Sequence, residues 1–379
     1  MGEFVAEAQG VSIVRSRSLS SMIALLGRRD EPTDALEDYC HCLGQALAAE
    51  GYALDLVRVP WPERGWLPAL NWLRHESEKW KGSWVLVQYT ALSWSRRGFP
   101  LLLLAVLGLL RIQGTRIAVI FHDPEPYPGT RLVDKVRRSC QRWIMRWIYK
   151  LSDKSVLTIP VQHASWLPAN CSKATFVPVG ANIPAVVTPG PGGRNGCELR
   201  TIAVFGVTGD GKVGNEVSDI ALVAKTAAKL LPGIRLVTIG RGSLESEAEF
   251  RVALQGSKVD YRALGILSAE DVGRALSGSD ISLFVRGPLS TQRGSAIASI
   301  ACAVPLAAYV GQNLAAPFSE AGVVTVACGD CEGLAEATVK ILTDRALWLE
   351  LHYRSKRAYE KYFAWDAVAG RFLELFDNA

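Results

Sequence analysis

The stretch VFGVTGDGKVGNE, residues 204–216, joins an apolar run to a helical pattern through a glycine-rich turn. Gly206, Gly211 and Lys212 have the spacing of a Walker A loop, which binds nucleotide phosphates. Gly209, Gly211 and Gly214 have the spacing of a dinucleotide-binding fingerprint. Both patterns describe a strand that runs through a turn into a helix, so the stretch predicts that unit here.

Neither pattern is complete. Val213 follows Lys212, although a Walker A loop needs a hydroxyl group there to bind magnesium. The next β-rich run ends in Gly240-Arg241-Gly242, where a dinucleotide site usually carries an acid that binds the ribose. Both patterns share a turn with exposed backbone N–H groups at the positive end of a helix, and here a lysine joins them. This combination favours a diphosphate ligand, and the alternative is a plain turn with a solvated lysine.

Short β-rich runs alternate with helical patterns on both sides of a segment rich in proline and glycine, 184–198. Such alternation predicts parallel sheets with helices on both faces, and therefore two tandem Rossmann-like doubly wound α/β domains with a cleft between them. The predicted strands cover 21–26, 53–59, 84–89, 117–121, 155–159 and 174–179, and then 201–205, 235–239, 259–264, 281–285, 304–308 and 323–326. The clearest helical patterns cover 34–50, 217–231 and 269–276.

The bulk composition excludes several classes of protein. The chain has 379 residues, 49% of them hydrophobic and 21% charged, which is typical of a soluble globular protein with two domains. A net charge of +5 does not indicate a nucleic-acid-binding protein. Eight cysteines in so long a chain indicate reduced thiols and a cytosolic protein. The cysteine pairs at 40/42 and 328/331 lack the partners of a zinc site, so we predict no metal.

The sequence predicts neither a secretory signal nor a membrane-spanning helix. Residues 1–20 are polar and mixed, and lack the apolar core of a signal peptide. The longest apolar run, 99–110, is shorter than the roughly 20 residues that span a bilayer. We interpret it as a buried helix, and a one-sided membrane contact is the alternative.

The second half of the chain carries further glycine turns and a polar loop. Gly265 follows a strand and precedes Ser268, which begins a helix with Asp271 three positions on, close to a capping box. A polar loop then runs through Arg293, Gly294 and Ser295 into a small-residue helix, 296–302. The tail YEKYFAWDAVA, 359–369, is rich in aromatic residues.

This order of elements resembles the C-terminal domain of GT-B glycosyltransferases. It is most similar to the large retaining group that uses nucleotide sugars (glycosyltransferase family 4-like), and the resemblance covers nearly all of residues 200–379. The tail resembles the segment of that family that leads into helices crossing back to the first domain. The resemblance implies a flexible segment at 1–20, an acceptor-binding domain at 21–183, a linker at 184–198, a nucleotide-sugar-binding domain at 199–355, and a C-terminal helix at 356–379 that packs on the first domain.

The resemblance also implies an activity and a set of site residues. A hexosyltransferase of this kind moves a sugar from a nucleotide-sugar donor to a glycan or lipid-linked acceptor. The donor is a substrate, so no cofactor is expected, and fixed cations can stabilise the leaving diphosphate without a metal. The expected donor-binding residues are Gly209, Gly211, Lys212, Arg241, Gly265, Arg293, Gly294 and Ser295.

One departure from the family pattern concerns two glutamates eight positions apart. Ser290 and Ala298 stand in those places, so both carboxylates are missing. This leaves retention and inversion of stereochemistry both open. It also leaves open an inactive GT-B scaffold that binds a nucleotide sugar. A nucleotide-sugar epimerase, which shares the two-domain fold, is a further alternative, although it would be expected to carry more carboxylates in the cleft.

A His-Asp pair follows the predicted strand 117–121 in the first half. Ligands of doubly wound sheets bind at the carboxyl ends of strands, where His122 and Asp123 stand. The pair resembles the active-site loop of the same family. That resemblance implies that His122 contacts the donor sugar and that Asp123 orients it, or serves as a base if the enzyme inverts. The alternative is that Asp123, before Pro124, caps a helix.

The helical pattern at 131–154 is strongly basic, with apolar residues at helical spacing. One interpretation is a helix that faces the core with a solvated basic surface. The other is a contact with anionic lipid, with tryptophans at the boundary. The second would make the protein peripheral on the inner face of the cytoplasmic membrane. The apolar residues are Leu132, Val136, Cys140, Trp143, Ile144, Trp147 and Leu151.

Overall fold

The protein folds around two parallel six-stranded sheets. The computed structural model describes residues 20–31, 34–185, 199–208, 216–310, 314 and 316–377. Nearly all of the predicted segment 1–20, most of the predicted linker 184–198, and the turn 209–215 therefore lie outside the described residues. The two sheets confirm the predicted α/β class with two doubly wound layers.

The first sheet has the order β2-β1-β3-β4-β5-β6, and all its pairings are parallel. Its central strand β3 is buried along its whole length, as expected where helices cover both faces. Its strands are β1 (Ser20–Leu26), β2 (Tyr52–Arg58), β3 (Trp84–Tyr89), β4 (Arg116–Phe121), β5 (Lys154–Leu157) and β6 (Ala174–Phe176). Its helices are α1 (Ala35–Ala49), α2 (Trp61–Arg64), α3 (Trp66–Ser77), α4 (Leu103–Ile112) and α5 (Leu132–Leu151).

The second sheet has the order β12-β11-β10-β7-β8-β9 and is also parallel throughout. Its strands are β7 (Leu199–Phe205), β8 (Gly233–Ile239), β9 (Val259–Ala263), β10 (Ile281–Phe284), β11 (Leu306–Tyr309) and β12 (Val323–Val326). Its helices are α6 (Glu216–Leu230), α7 (Arg241–Glu245), α8 (Glu247–Ala253), α9 (Ala269–Ser277), α10 (Gly294–Ala301), α11 (Cys331–Thr343) and α12 (Arg345–Ala358). As the sequence indicated, Ser268 caps α9, because its hydroxyl accepts from the Asp271 N–H at 3.1 Å.

The chain crosses between the two sheets twice, and the two crossings touch. A π-helical turn, Tyr359–Phe363, leads from α12 into α13 (Trp365–Asp377). The indole Nε1 of Trp365 donates to the carbonyl oxygen of Ala181 at 2.8 Å, and the Ala181 N–H donates to Phe363 O at 2.9 Å. Beyond this junction, Val368, Ala369, Phe372 and Phe376 of α13 are buried in the core under the first sheet.

Helix α5 differs from its predicted burial pattern. Ile144 lies in the core, and Cys140 and Leu151 pack against it, but the rest of the predicted apolar stripe is exposed. The helix therefore faces the core, as one interpretation expected, but it buries Met145 and Ile148 in place of much of that stripe. The exposed apolar side chains are Leu132, Val133, Val136, Trp143 and Trp147. No described helix combines the length and the hydropathy needed to cross a membrane.

Candidate functional site

The carboxyl ends of the two sheets meet through the loop between β10 and α10. The hydroxyl of Thr291 donates to the carbonyl oxygen of Thr158 at 2.5 Å. The amide Nε2 of Gln292 donates to the carbonyl oxygen of His122 and, at 3.1 Å, to the hydroxyl of Thr158. One loop of the second domain is therefore fixed against the strand ends of the first. Parallel α/β sheets bind their ligands at such strand ends.

His122 is held as a neutral ring. Its Nε2 lies 2.8 Å from Gln88 Oε1, and the amide of Gln88 donates in turn to Leu86 O at 3.2 Å. That second bond fixes the amide orientation, so His122 Nε2 carries a proton and Nδ1 is the acceptor. The ring packs edge-on against Tyr39, with centroids 4.7 Å apart. Burial lowers the pKa of His122 to about 4, so the imidazole is uncharged at neutral pH.

Asp123 does not cap a helix, so the capping interpretation is wrong. The next helix, α5, begins at Leu132. Instead, one carboxylate oxygen of Asp123 accepts from the Ala91 N–H at 3.4 Å. Partial burial in the cleft raises the pKa of Asp123, and the Ala91 bond opposes that shift. A carboxylate with a raised pKa is a better proton acceptor than an ordinary one.

A cavity of about 440 Å³ joins this pair to the second domain. Its volume lies within the ordinary range for small-molecule sites. The first domain supplies Tyr39, His122 and Asp123, and the second supplies Gln292 and Gly294. The cavity therefore places the His-Asp pair and the beginning of α10 on opposite walls of one space.

The glycines of the second domain allow its strand ends to approach one another. A Cβ atom on Gly240 would lie 3.4 Å from the backbone of Gly206, and both residues have positive φ angles, 112° and 90°. The Gly240 N–H donates to Gly265 O at 2.7 Å. The turns after β7, β8 and β9 therefore form one continuous backbone surface, which larger residues would separate.

Two arginines stand beside this surface. The guanidinium of Arg286 donates to Gly206 O at 2.9 Å. Arg293 precedes the first residue of α10, and its Nε is buried with no hydrogen-bond partner in the described part of the chain. Burial and the positive charge of Arg286 lower the pKa of Arg293. The two cations therefore repel each other in the free protein, and an anion between them would relieve that repulsion.

Glu216 borders the glycine-rich turn on its helical side. It is the first residue of α6 and is buried, and its Oε2 accepts from the Thr208 N–H at 3.1 Å. Burial raises the pKa of Glu216, while the Thr208 bonds and Arg286 oppose the shift. This carboxylate fixes one end of the turn to the helix that follows it.

The structure brings some of the predicted site residues together. Arg293 directly precedes α10, which Gly294 and Ser295 begin, and a Cβ on Gly206 would lie 3.4 Å from the Ser295 hydroxyl. Gly265 lies at the shared backbone surface. Arg241 is the exposed first residue of α7, directly after Gly240. Gly209, Gly211 and Lys212 lie outside the described residues.

Ala298 and Ser290, which stand in the places of the family's two glutamates, differ in their burial. Ala298 is buried in α10 and packs in a core cluster with Ile239 and Val272, so no polar group stands there. Ser290 is half-buried and lines a second interdomain cavity of about 500 Å³ together with Glu125 and Arg293. The sequence reasoning did not select Arg286, Gln292 or Gln88 as site residues. The sequence carried a signal only for Arg286, which stands near the end of a strand of the second sheet.

Comparisons with known proteins bear on the fold. No protein-family model matches the chain, and no curated protein matches it in sequence. Among solved structures, Anabaena Alr3699/HepE in complex with UDP and glucose is similar at a TM-score of 0.66 and 10% identity, over 95% of this chain and 100% of that one. Sucrose-phosphate synthase (tll1590) from Thermosynechococcus elongatus is similar at 0.66 and 17% identity, over 95% and 98%.

A further neighbour is a putative UDP-N-acetylglucosamine 2-epimerase from Listeria monocytogenes, at a TM-score of 0.58 and 12% identity, over 95% of this chain and 98% of that one. Likenesses at such low identity concern the fold. They confirm that the chain has the predicted GT-B architecture of two tandem Rossmann-like domains.

Proposed function

We propose that the protein is a glycosyltransferase that moves a sugar from a nucleotide-sugar donor to a glycan or lipid-linked acceptor. The observation that carries the proposal is the cleft. On one wall α10 begins at Gly294, directly after Arg293, and the opposite wall offers the neutral His122 beside Asp123. A glycosyl transfer needs these two environments, one for the leaving diphosphate and one for the sugar.

The second domain is proposed to hold the donor. Backbone N–H groups of Gly294 and Ser295 at the start of α10 would bind phosphate oxygens, because the positive end of a helix favours anions. Arg293 and Lys212 would add charge where the nucleoside diphosphate leaves, so the step needs no metal ion. Gly209, Gly211, Arg241 and Gly265 would line the rest of the nucleotide site.

The first domain is proposed to hold the reacting sugar. The neutral His122 would accept a hydrogen bond at Nδ1 from a hydroxyl group of the sugar near its anomeric carbon. The acceptor oxygen forms the new bond as the bond to the nucleoside diphosphate breaks, and the electron pair leaves with the diphosphate. In a retaining reaction the hydroxyl proton passes to the departing diphosphate, and in an inverting one it passes to Asp123. We propose retention, by resemblance, and the product anomer determined by NMR decides between the two.

Two other functions compete with transfer. The missing carboxylates at Ser290 and Ala298 favour an inactive scaffold that binds a nucleotide sugar. The likeness to a putative epimerase favours that activity. Incubation with a UDP-sugar and candidate acceptors separates the three outcomes. A glycosylated product supports transfer, a converted sugar supports epimerisation, and binding with neither product supports the scaffold.

The first experiment is a thermal-shift screen against nucleoside diphosphates and nucleotide sugars. A ligand at 100 times its dissociation constant stabilises the folded state by about 2.7 kcal/mol. The panel includes UDP, because the Anabaena neighbour was solved with it. If nucleotides of one base raise the melting temperature more than the others do, that base identifies the donor nucleotide. If none of the compounds raises the melting temperature, the result contradicts a nucleotide-sugar function.

We also propose that α5 contacts an anionic membrane surface on the cytoplasmic face. Trp143 and Trp147 are exposed with rings 6.0 Å apart, and Lys150 lies 4.7 Å from the Trp147 ring. Exposed aromatic residues beside cations are typical of membrane-surface helices. The exposed lysines of this helix are therefore the residues to test.

A double variant, Lys135→Ala with Lys150→Ala, should bind phosphatidylserine vesicles at least tenfold more weakly at low salt, since each cation contributes about 1 kcal/mol. Sedimentation with vesicles measures this. The matched control, Lys340→Ala with Lys356→Ala, removes the same charge from exposed positions of the second domain. Equal loss in both variants, or no binding by the wild type, would contradict the proposal.

A further inference from the structure

The loop TALSWSRRGF, residues 90–99, stands between two cavities of the first domain. One cavity, of about 380 Å³, shares Leu92 and Asp123 with the cleft cavity. The other, of about 320 Å³, is lined by Trp61 and Trp66 and by no residue of the second domain. Arg96 and Arg97 line both. The three cavities therefore form a series that begins at Asp123 and leads away from the second domain.

Hydrogen bonds hold the backbone of this loop in place around its two arginines. The N–H of Thr90 donates to the hydroxyl of Ser93 at 3.3 Å, and the N–H of Ser93 donates to the hydroxyl of Thr90 at 3.1 Å. The indole of Trp94 is buried and donates to Gln88 O at 2.8 Å. The Phe99 N–H donates to the Ser95 hydroxyl at 3.0 Å. These bonds fix the backbone on both sides of the arginines.

Arg96 and Arg97 have donors available for a ligand. Arg96 makes one side-chain hydrogen bond, to Pro62 O at 3.0 Å. The Arg97 guanidinium has no side-chain partner among the residues that the structure describes, and both residues are exposed. By contrast, Arg137, which also lines the 380 Å³ cavity, is bound to Asp134 at 2.6 Å. The two loop arginines therefore offer adjacent charged donors suited to a phosphate or diphosphate.

Tyr89 gives a second, independent sign of a ligand. It lines the 380 Å³ cavity and is 1% exposed, yet its hydroxyl has no hydrogen-bond partner in the described part of the chain. A buried hydroxyl without a partner is costly, and such groups in native proteins usually bind something. Burial and the nearby Asp123 raise the pKa of Tyr89, so the hydroxyl keeps its proton and can donate.

Apart from Ser95 and the two arginines, the walls of the 320 Å³ cavity are apolar. Trp61 and Trp66 stack with centroids 5.0 Å apart and an interplanar angle of 8°. Phe99 and Leu102 complete its walls. Leu102 is 41% exposed and its neighbour Leu101 is 50% exposed, so the apolar surface continues to the outside of the domain. Such a cavity suits the first part of an apolar chain whose remainder continues beyond the protein.

We infer that the acceptor is an amphiphile whose phosphate or diphosphate group lies at Arg96 and Arg97, with its glycosylated end at Asp123 and its apolar tail in the cavity of Trp61, Trp66 and Leu102. This inference rests on the proposed glycosyl transfer and narrows its acceptor to a phosphate-linked lipid. The order of the three cavities matches the order of groups in such a molecule. A free glycan would need neither the unpaired cations nor the apolar cavity.

The probe is farnesyl diphosphate, a soluble molecule with the proposed anionic group and tail. Isothermal titration calorimetry measures its binding with and without saturating UDP. We expect binding in both conditions with similar affinity. Inorganic diphosphate and farnesol, each carrying half of the probe, should each bind at least tenfold more weakly.

The variant Arg96→Ala with Arg97→Ala should weaken farnesyl diphosphate binding at least tenfold and leave UDP binding unchanged. Trp66→Ala should weaken the probe while affecting inorganic diphosphate little. The matched control is Arg345→Ala with Arg357→Ala, which removes two exposed cations from α12 and should change nothing.

The outcomes separate this inference from the proposed function. UDP binding without farnesyl diphosphate binding overturns the acceptor assignment alone. The acceptor assignment is also overturned if farnesyl diphosphate competes with UDP, or if the control variant weakens farnesyl diphosphate binding as much as the double variant of Arg96 and Arg97 does. If inorganic diphosphate binds as tightly as farnesyl diphosphate, the apolar cavity does not bind the tail. If farnesol binds as tightly as farnesyl diphosphate, the two arginines do not bind the anionic group. Preference for a neutral oligosaccharide over the probe makes the acceptor a glycan. Farnesyl diphosphate binding without any nucleotide binding supports the cavity but contradicts the transferase.

Discussion

The two walls of the cleft differ in how they carry charge. On the first domain, His122 is neutral, and Asp123 has a raised pKa because the cleft partly desolvates it. On the second domain, Arg286 and Arg293 stay cationic at the end of a strand and the start of a helix. One wall therefore offers groups that can exchange a proton, and the other offers charge that cannot be removed.

This difference indicates a division of roles between the domains. Fixed cations suit a group that becomes more negative during the reaction, as a leaving diphosphate does. Neutral polar groups suit a sugar, because its uncharged hydroxyl groups both donate and accept hydrogen bonds. If this division is correct, damage to one wall should leave the function of the other intact.

The largest effect is expected from His122→Ala. It should lower the rate of sugar transfer by roughly 10²–10⁴-fold while leaving nucleoside diphosphate affinity nearly unchanged, because contacts made only in the transition state lower turnover. Initial rates and calorimetry on one preparation measure both quantities. His122→Asn keeps a donor towards Gln88 and tests whether packing alone matters, and the exposed His75→Ala is the matched control. Full activity of His122→Ala would contradict a role in the reaction.

Changes to the residues proposed to bind the diphosphate should weaken nucleotide binding, which His122→Ala should leave nearly unchanged. Lys212→Ala and Arg293→Ala should each weaken diphosphate binding about 10- to 100-fold, since hydrogen bonds to charged groups contribute roughly 1.5–3 kcal/mol. Calorimetry with UDP measures the loss, and Lys229→Ala, at the far end of α6, is the control. An unchanged affinity in both variants would show that the diphosphate binds elsewhere.

The neutral state of His122 predicts a pH effect on stability. Its pKa falls from about 6.5 in the unfolded chain to about 4 in the folded protein. Between those values the unfolded chain binds a proton that the folded one does not, so stability falls as the pH falls. From pH 7 to pH 5 the wild type should lose up to about 2 kcal/mol more than His122→Asn does. Urea unfolding of both proteins at both pH values tests this, and equal losses would show a solvated histidine.

The smallest effect concerns the helix that carries the cationic wall. Ala303 follows the end of α10 with a φ of 54°, a conformation that favours glycine. Ala303→Gly should raise the free energy of unfolding by about 0.5–1 kcal/mol. Transfer rate and UDP affinity should not change, because Ala303 lies at the opposite end of α10 from Arg293. A lower stability would mean that the residue is not strained.

The fold was predictable because buried parallel strands are continuous apolar runs. The run 84–89 is β3 with the predicted bounds, and all six of its residues are buried. The predicted carboxyl ends of β5 and β6 were wrong, because prolines follow these strands. Strands predicted to reach 159 and 179 stop at Leu157 and Phe176, before Pro160 and Pro178, which lack the N–H that a ladder needs.

The site was predictable only where a residue stands at the end of its own strand. His122 and Asp123 could be placed because they follow β4 directly. The contacts of Gln292 with His122 and Thr158 could not, because they depend on how the two domains meet. Arg286 was missed for a different reason, because its bond to Gly206 joins two strand ends of the second sheet that lie 80 positions apart in the sequence.

The return of α13 to the first sheet affects how the chain folds on the ribosome. Phe372 and Phe376 complete a core that also contains Met22 and Leu86, so the domain synthesised first lacks part of its interior until the whole second sheet has been made. Multidomain chains usually fold one domain at a time from the N-terminus. Here the second domain can close first, while the first exposes apolar surface for longer and depends more on chaperones during synthesis.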